Sequence, residues 1–511
     1  MTRLRLVALL FLGLPCWIAP EVVAQPTIAG SLCQQLSDHQ NSAGYLSLAA
    51  ADTDGDGKAE VAAGLPVWDF APGEVNNGLF KTYEPVAPGG YFGDGVSGLD
   101  GDWLGRAVAT GDFDNDGEPD FAVAAPSAGG GRVVVRTSCG SGCWDQPTEL
   151  RQGTNGVNDA SEDGDAFGFS LAVGDFDDDG FDDLAVGVYG EVWTGVAGGN
   201  HGAVHLFYGS PSGLDGTRDL LFGEHQVNGV REDGDRSGEV LAAGDLDGDG
   251  YDDLAIGLPQ ENHSTIVQAG AVYVTFGSAA GIDLARRQFW SQDSTGISDS
   301  VESGDQFGGA LAIADLDKAS LIATERRDLI IGSPREADGA VNSAGTVHVL
   351  YSDANGPNAT GSQQLFRPGG SSWGALFGAV LLGARFGPDP AADLVVSAPQ
   401  IFNSGAQGQG EVHLFLGRAG GTLVSSGNAP WRPQGDWCAG TVPEASSFGE
   451  ALVAGDFDAD GRRDLGIGIP FWSPNEPGER FGTVAILFGK PLLFSDSFET
   501  GTTGRWSAAA P

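Results

Sequence analysis

The chain has 511 residues, with 26 Lys+Arg against 69 Asp+Glu and a formal net charge of -43. That balance argues against nucleic acid and anionic membrane surfaces as partners. Hydrophobic residues still make up 41%, enough for a core and too many for a disordered chain.

The first segment reads as an export signal. Met1 to Arg5 carries two arginines, Leu6 to Leu14 is apolar, and Val22-Val23-Ala24 places small residues before Gln25. This pattern predicts a cleaved signal peptide over residues 1–24. Pro15 ahead of Cys16 argues against a lipoprotein anchor, and no later stretch is long and apolar enough to span a bilayer. The mature chain is expected to be secreted or held at the cell surface.

From there one phrase recurs. DTDGDGKAEVAAGLP starts at Asp52, DFDNDGEPDFAVAAP at Asp112, DFDDDGFDDLAVGVY at Asp175, DLDGDGYDDLAIGLP at Asp245 and DFDADGRRDLGIGIP at Asp456. Two degenerate copies lie between the last two, from Asp315 and from Ala384. Seven copies, 60 to 72 residues apart, predict one architecture repeated over residues 25–490 rather than several domains. A glycine precedes each acidic loop, often after an aromatic, as in Phe167-Gly168, Phe307-Gly308, Phe377-Gly378 and Phe448-Gly449. Around the loop stand short apolar runs such as SLAVGDF, DLAVG, GAVHLFYG and RDLLFG, bounded by Gly, Pro and Asp. They read as four strands per unit. The fold class is therefore all-β, a seven-bladed β-propeller of four-stranded antiparallel blades. The Phe-Gly, the acidic loop and turns such as AAP, SAP and GSP resemble the FG-GAP repeats of the integrin α-subunit propeller and its bacterial secreted relatives.

The acidic loop has its own chemistry. Position 1 is Asp52, Asp112, Asp175, Asp245 or Asp456; position 3 is Asp54, Asp114, Asp177, Asp247 or Asp458; position 5 is Asp56, Asp116, Asp179, Asp249 or Asp460. Position 6 is Gly, and position 9 is Glu60, Asp120, Asp183, Asp253 or Asp464. Position 7, Lys58, Glu118, Phe181, Tyr251 or Arg462, would add its main-chain carbonyl. Hard oxygen ligands around a tight turn suit Ca²⁺, and the His and Cys that Zn²⁺ prefers are absent. Position 12 is apolar, unlike an EF-hand, so the ion would pin a β-hairpin between the first two strands of a blade. About five calcium sites are expected. The copy from Asp315 keeps Asp317 but loses position 5 and the glycine, and the copy from Ala384 lacks carboxylates at positions 1, 3 and 5. Asp178 and Asp182 are expected to face solvent.

Four cysteines follow the signal, an even number suited to an oxidising compartment. Cys139 and Cys143 are expected to bond to each other, and the sequence leaves the pairing of Cys33 with Cys438 open. The seventh unit shows only three strands before the repeat ends, so its fourth should come from about Thr27 to Leu36, clasping the two ends of the chain. Residues 491–511 fall outside the repeat and are expected to be disordered.

No nucleophile elbow, zinc-binding HExxH or phosphate-binding glycine loop occurs. His205, His348 and His413 occupy one register of three third strands, which suggests a structural role. The chain is thus read as a non-enzyme, a monomeric binding or adhesion module for an unknown extracellular protein or glycan. Residues 68–77, 190–201 and 260–269 are candidates for the ligand face. The alternative is a polysaccharide lyase or hydrolase acting at the channel mouth, which a cluster of Arg, Lys or His with carboxylates on one face would favour, whereas an aromatic and acidic face would favour binding.

Overall fold

The structure is a computed structural model that describes residues 31–35, 46–66, 77–84, 91–99, 101–138, 144–193, 199–227, 234–318, 326–387, 389–401, 408–427, 430–432, 446–472 and 481–489. It contains seven four-stranded antiparallel sheets. The third is typical, with strands Leu171–Gly174, Asp183–Val188, Ala203–Phe207 and Asp219–Phe222 paired in that order. The first strands of the blades are Ser47–Ala51, Val108–Gly111, Leu171–Gly174, Val240–Gly244, Ala310–Ala314, Leu381–Ala384 and Leu452–Gly455. Each touches the first strand of the next blade, and the last touches the first, which closes a ring around a central channel. Among the described residues no helix is long and apolar enough to cross a membrane.

The strand sequences follow from this packing. A second strand lies inside its blade with a neighbouring blade on either face, so both faces are apolar. DFAVAA, DLAVGV, DLAIGL, DLIIGS and DLVVSA are buried at every residue. First strands such as Leu171–Gly174 instead alternate buried and half-buried residues, because one face looks into the channel.

The Phe-Gly motif is the seam between blades. Phe167 is fully buried, and its backbone bridges Gly131 of the preceding blade. Gly168 (φ 91°) donates its N–H to the Gly187 carbonyl at 3.0 Å. A Cβ on Gly187 would strike the carbonyl oxygen of Gly238 in the next blade, so these glycines set the distance at which blades stack. The recurrent histidines belong to the same seam. The rings of His205, His348 and His413 lie 5.2, 5.4 and 5.5 Å from those of Phe167, Phe307 and Phe377. Their register is thus a packing position against the motif phenylalanine.

The last sheet joins the two ends of the repeat region. Leu452–Gly455, Asp464–Trp472 and Phe481–Leu487 are completed by Ser31–Gln35, which pairs antiparallel with Phe481–Leu487 in the register Cys33↔Ala485. The fourth strand expected from the N-terminal segment is the one observed. Residues 1–30 and 491–511, and Cys139, Cys143 and Cys438, lie outside the described residues.

Removing residues through Leu36 takes the outer strand from the closing blade, whereas removing 491–511 takes nothing from the described sheets. The first truncation should lower the melting temperature by well over 5 °C and the second by less than 2 °C, on the order of several kcal/mol against a few tenths. Equal melting temperatures in differential scanning calorimetry would refute the clasp.

Candidate metal-binding loops

The loop from Asp175 to Asp183 shows how the sequence builds the site. The first strand ends at Gly174, and the chain turns through Asp178 (φ 51°) and Gly180 (φ 90°). Position 6 needs glycine for this reason, and Gly57, Gly117, Gly250 and Gly461 share that conformation. Asp175 organises the turn: its two oxygens accept the N–H groups of Asp179 at 3.1 Å and Gly180 at 2.9 Å. Asp52, Asp112, Asp245 and Asp456 hold the position-6 N–H in the same way. Each position-5 carboxylate accepts the N–H of position 7, from Lys58, Glu118, Phe181, Tyr251 or Arg462.

Position 9 does something different. Asp183 is buried and accepts the Phe176 N–H on one oxygen at 2.9 Å. Its other oxygen accepts the N–H of Gly209, just past the third strand, at 2.8 Å. Asp120, Asp253 and Asp464 repeat both bonds, and Glu60 takes both the N–H and the hydroxyl of Thr53 at 2.7 Å. Asp328 and Asp393 make the same pair of bonds in the two degenerate loops. Position 9 therefore clamps loop to blade whether or not the other carboxylates are present.

Positions 1, 3 and 9 converge. In Asp52/Asp54/Glu60, Asp112/Asp114/Asp120 and Asp175/Asp177/Asp183, the oxygens all lie within 4.8 Å of one another. One oxygen each of Asp114 and Asp177 is buried without a hydrogen-bond partner. Burial, against the two N–H bonds and reinforced by the like charges of positions 1 and 3, pushes Asp183 and Asp253 up to about 8. Glu60, Asp120 and Asp464 rise to about 7 for the same reasons. An all-oxygen donor set with orphaned buried oxygens and crowded negative charge fits a hard divalent cation.

Fixed cations also reach these loops. Arg218 lies 2.6 Å from Asp177 and 3.6 Å from Asp179, Arg286 contacts Asp247 and Asp249, and the Lys58 ammonium lies 3.0 Å from Asp56. Sequence reasoning missed these groups, although a basic residue is itself a signal in so acidic a chain. In the degenerate loops the substitution goes further. Lys318 stands 3.6 Å from Asp315. The Phe386 N–H bond to Asp393 sets the register of the next copy, so that Arg385, not Ala384, occupies position 1 and Asp389 position 5. A guanidinium stands where the other blades place their first carboxylate. The degenerate copy therefore starts one residue later than expected.

Asp182 also departs from expectation. It accepts the Asp112 N–H of the preceding blade at 2.8 Å and donates its own N–H to the Asp112 carbonyl at 2.9 Å. Asp252 repeats this with Asp175, and the N–H groups of Arg327, Ala392 and Ala59 reach the carbonyls of Asp245, Asp315 and Asp456. Successive loops are thus hydrogen-bonded around the rim. Asp178 is exposed, as expected. Of the candidate ligand stretches, residues 68–76 and 194–198 lie outside the described residues.

The FG-GAP repeat model matches residues 104–135, 167–207 and 237–275. Phosphatidylinositol-glycan-specific phospholipase D of Rattus norvegicus is 29% identical over 245 residues, 46% of this chain and 26% of that protein. Integrin alpha-PS2 of Drosophila melanogaster is 32% identical over 200 residues, 36% of this chain and 12% of that protein. The matched regions thus span about a quarter or less of either relative. An exotype rhamnogalacturonan lyase aligns over 88% of this chain at 10% identity and a TM-score of 0.35, a likeness that carries no argument. The phospholipase overturns the reading of the chain as a non-enzyme, because a protein named for an enzymatic activity is similar across this repeat region. Missing catalytic motifs therefore exclude nothing. The chain is a seven-bladed propeller in which three stretches match the FG-GAP repeat and which resembles the integrin α subunits in sequence.

Proposed function

We propose that this is an exported propeller, stabilised by about five Ca²⁺ ions, that binds an extracellular protein or glycan. One observation carries the reading: similar repeats occur in an integrin and in a phospholipase, proteins named for different tasks. What they share with this chain is similarity across the repeat region, which here folds as a propeller able to present a recognition face. Calcium would be held by positions 1, 3, 5 and 9 and the carbonyl of position 7 in the five intact loops. Its charge would offset the crowding of carboxylates, and the opposite rim, with the loops between second and third strands, would meet the ligand. A screen of the mature protein in millimolar calcium against glycan and extracellular-matrix arrays tests this. Specific binding to one ligand class is expected; a folded, calcium-loaded chain that binds nothing would overturn it.

A second reading follows from a cavity of about 760 Å³ at the channel mouth, where the loops of blades one, six and seven meet. Arg385, Arg462 and Arg463 line it beside Asp52, Asp456 and Asp460. Guanidinium groups next to carboxylates suit an acidic polysaccharide as ligand or substrate. Arg385→Ala with Arg463→Ala should then reduce binding or turnover of polyuronate at least tenfold while leaving neutral glycans unaffected. Equal loss for both kinds of glycan would remove this reading.

Calcium binding makes two further predictions. At millimolar calcium each site should add on the order of 1 kcal/mol, given the affinities common in extracellular modules. EDTA should therefore lower the melting temperature by many degrees. Asp177→Ala should remove one ion from the total counted by equilibrium dialysis, and Asp317→Ala should remove none. An EDTA melt that superimposes on the calcium melt would exclude the metal.

The pH dependence should change sign with calcium. In EDTA the raised position-9 carboxyls bind protons in the folded state that the unfolded state releases near pH 4. Stability should then fall as pH rises from about 4 to about 8. With calcium the ligands must be ionised, so the increment due to the ion should grow over the same range. Melting curves at pH 5, 6, 7 and 8 with and without calcium test this; parallel trends in the two series would contradict it.

A further inference from the structure

The rim opposite the aspartate loops has a repeated polar set of its own. Gln152 lies just beyond the fourth strand of blade two, Thr148–Leu150, and Glu191 just beyond the second strand of blade three. The linker between these blades supplies Asp159, Glu162 and Asp165. Oxygens of Asp159, Glu162 and Glu191 lie within 4.8 Å of one another. Glu191 is 2% exposed and Gln152 1%. The Gln152 amide donates to Glu191 at 2.8 Å, and its carbonyl oxygen Oε1 is buried with no partner. With Glu191 ionised, turning the amide over would not cure this, since Oε1 would then face a carboxylate oxygen, and either orientation leaves buried oxygen uncompensated.

The seam between blades four and five repeats the arrangement 140 residues later, with its last member 145 residues later. Gln292, Asp299, Glu302, Asp305 and Glu336 take the places of Gln152, Asp159, Glu162, Asp165 and Glu191. The Gln292 amide donates to Glu336 at 2.5 Å and to Asp299 at 3.2 Å, and its Oε1 is again buried and unpartnered. Asp305 accepts the Glu302 N–H at 2.7 Å, as Asp165 accepts that of Glu162 at 2.6 Å. Among the described residues no lysine or arginine pairs with these carboxylates, although His348 lies 3.1 Å from Asp299.

Two other seams show what is missing. Between blades one and two, Arg132 is 2.5 Å from Asp102, which holds the place of Asp165. Between blades five and six, Arg367 replaces the glutamine and contacts the fully buried Glu411, with Arg432 2.9 Å from the other oxygen. Among the described residues an arginine serves each of these seams, whereas no lysine or arginine serves the other two, which have at most His348 beside Asp299.

We propose that the seams between blades two and three and between blades four and five are two further sites for a hard divalent cation such as Ca²⁺, held by the glutamine carbonyl and the seam carboxylates. These sites do not depend on metal binding at the aspartate loops. They would pin neighbouring blades together and place a cation on the rim assigned to ligand recognition.

Equilibrium dialysis of the full mature chain against calcium, starting from chelated buffer, tests the proposal. Glu191→Gln with Glu336→Gln keeps the side-chain shapes and should bind two ions fewer than the unmodified chain. Asp177→Ala should lose one ion independently. An unchanged count in the folded double variant would overturn the proposal, whatever the loops bind. Where that variant does not fold, anomalous scattering from terbium in crystals of the unmodified chain decides. Peaks between Gln152 and Glu191 and between Gln292 and Glu336 support the sites, and their absence overturns them.

Discussion

Six of the seven blades depend on one carboxylate buried between two backbone N–H groups, and in the first Glu60 takes the N–H and hydroxyl of Thr53 instead. Asp183 ties the start of its loop, at Phe176, to the end of the third strand, at Gly209, and so fixes three strands with one side chain. Burying an ionised carboxylate is costly, and two charge-assisted hydrogen bonds offset much of that cost. The balance leaves the group near neutrality, pushed up to about 8 by burial and by the neighbouring carboxylates. Asp328 and Asp393, clamped identically but set up to about 7 and about 6, show that the joint outlives the other acidic ligands. The metal-loop phrase thus joins two functions, a permanent joint at position 9 and a negative nest at positions 1, 3 and 5.

The architecture was legible in the sequence because repetition multiplies a weak signal. No single run such as DLAVG distinguishes a buried strand from a helix fragment, but seven at one spacing do. The clasp was legible for a related reason, since a unit with three strands needs a fourth from elsewhere. What sequence reading misplaced was local. The register of the copy near Ala384 depends on which amide reaches Asp393, and only the hydrogen bond from Phe386 reveals it. Asp182 resembles a solvated charge within a run of aspartates, and its partner is the backbone of the preceding blade. The glutamines and acids of the seams do recur with a fixed spacing ahead of Phe167-Gly168 and Phe307-Gly308. That signal was present but hidden behind the denser aspartate phrase.

A common electrostatic rule runs through both rims. At several places where carboxylates crowd, a positive group is built in. Arg385 and Lys318 stand in the degenerate loops, and Arg132 and Arg367 in two seams. Arg218 and Arg286 lean over loops that keep their full set of carboxylates, so their affinities for an ion would differ from that of the blade-two loop. The propeller thus offers a graded series of acidic nests rather than equivalent copies.

The clasp also sets an order of assembly. Within a blade, the strands that pair are near neighbours in sequence and can form as the chain emerges. The contact between Ser31–Gln35 and Phe481–Leu487 spans nearly the whole repeat region, and contacts of such long range are the slowest to form. Until the last hairpin exists, the blades form an open arc whose two end faces, around Leu46 and Ala451, are unburied and prone to wrong association. Ser31–Gln35 must therefore wait for Phe481–Leu487, and ring closure becomes the step at which an incomplete propeller is told from a complete one.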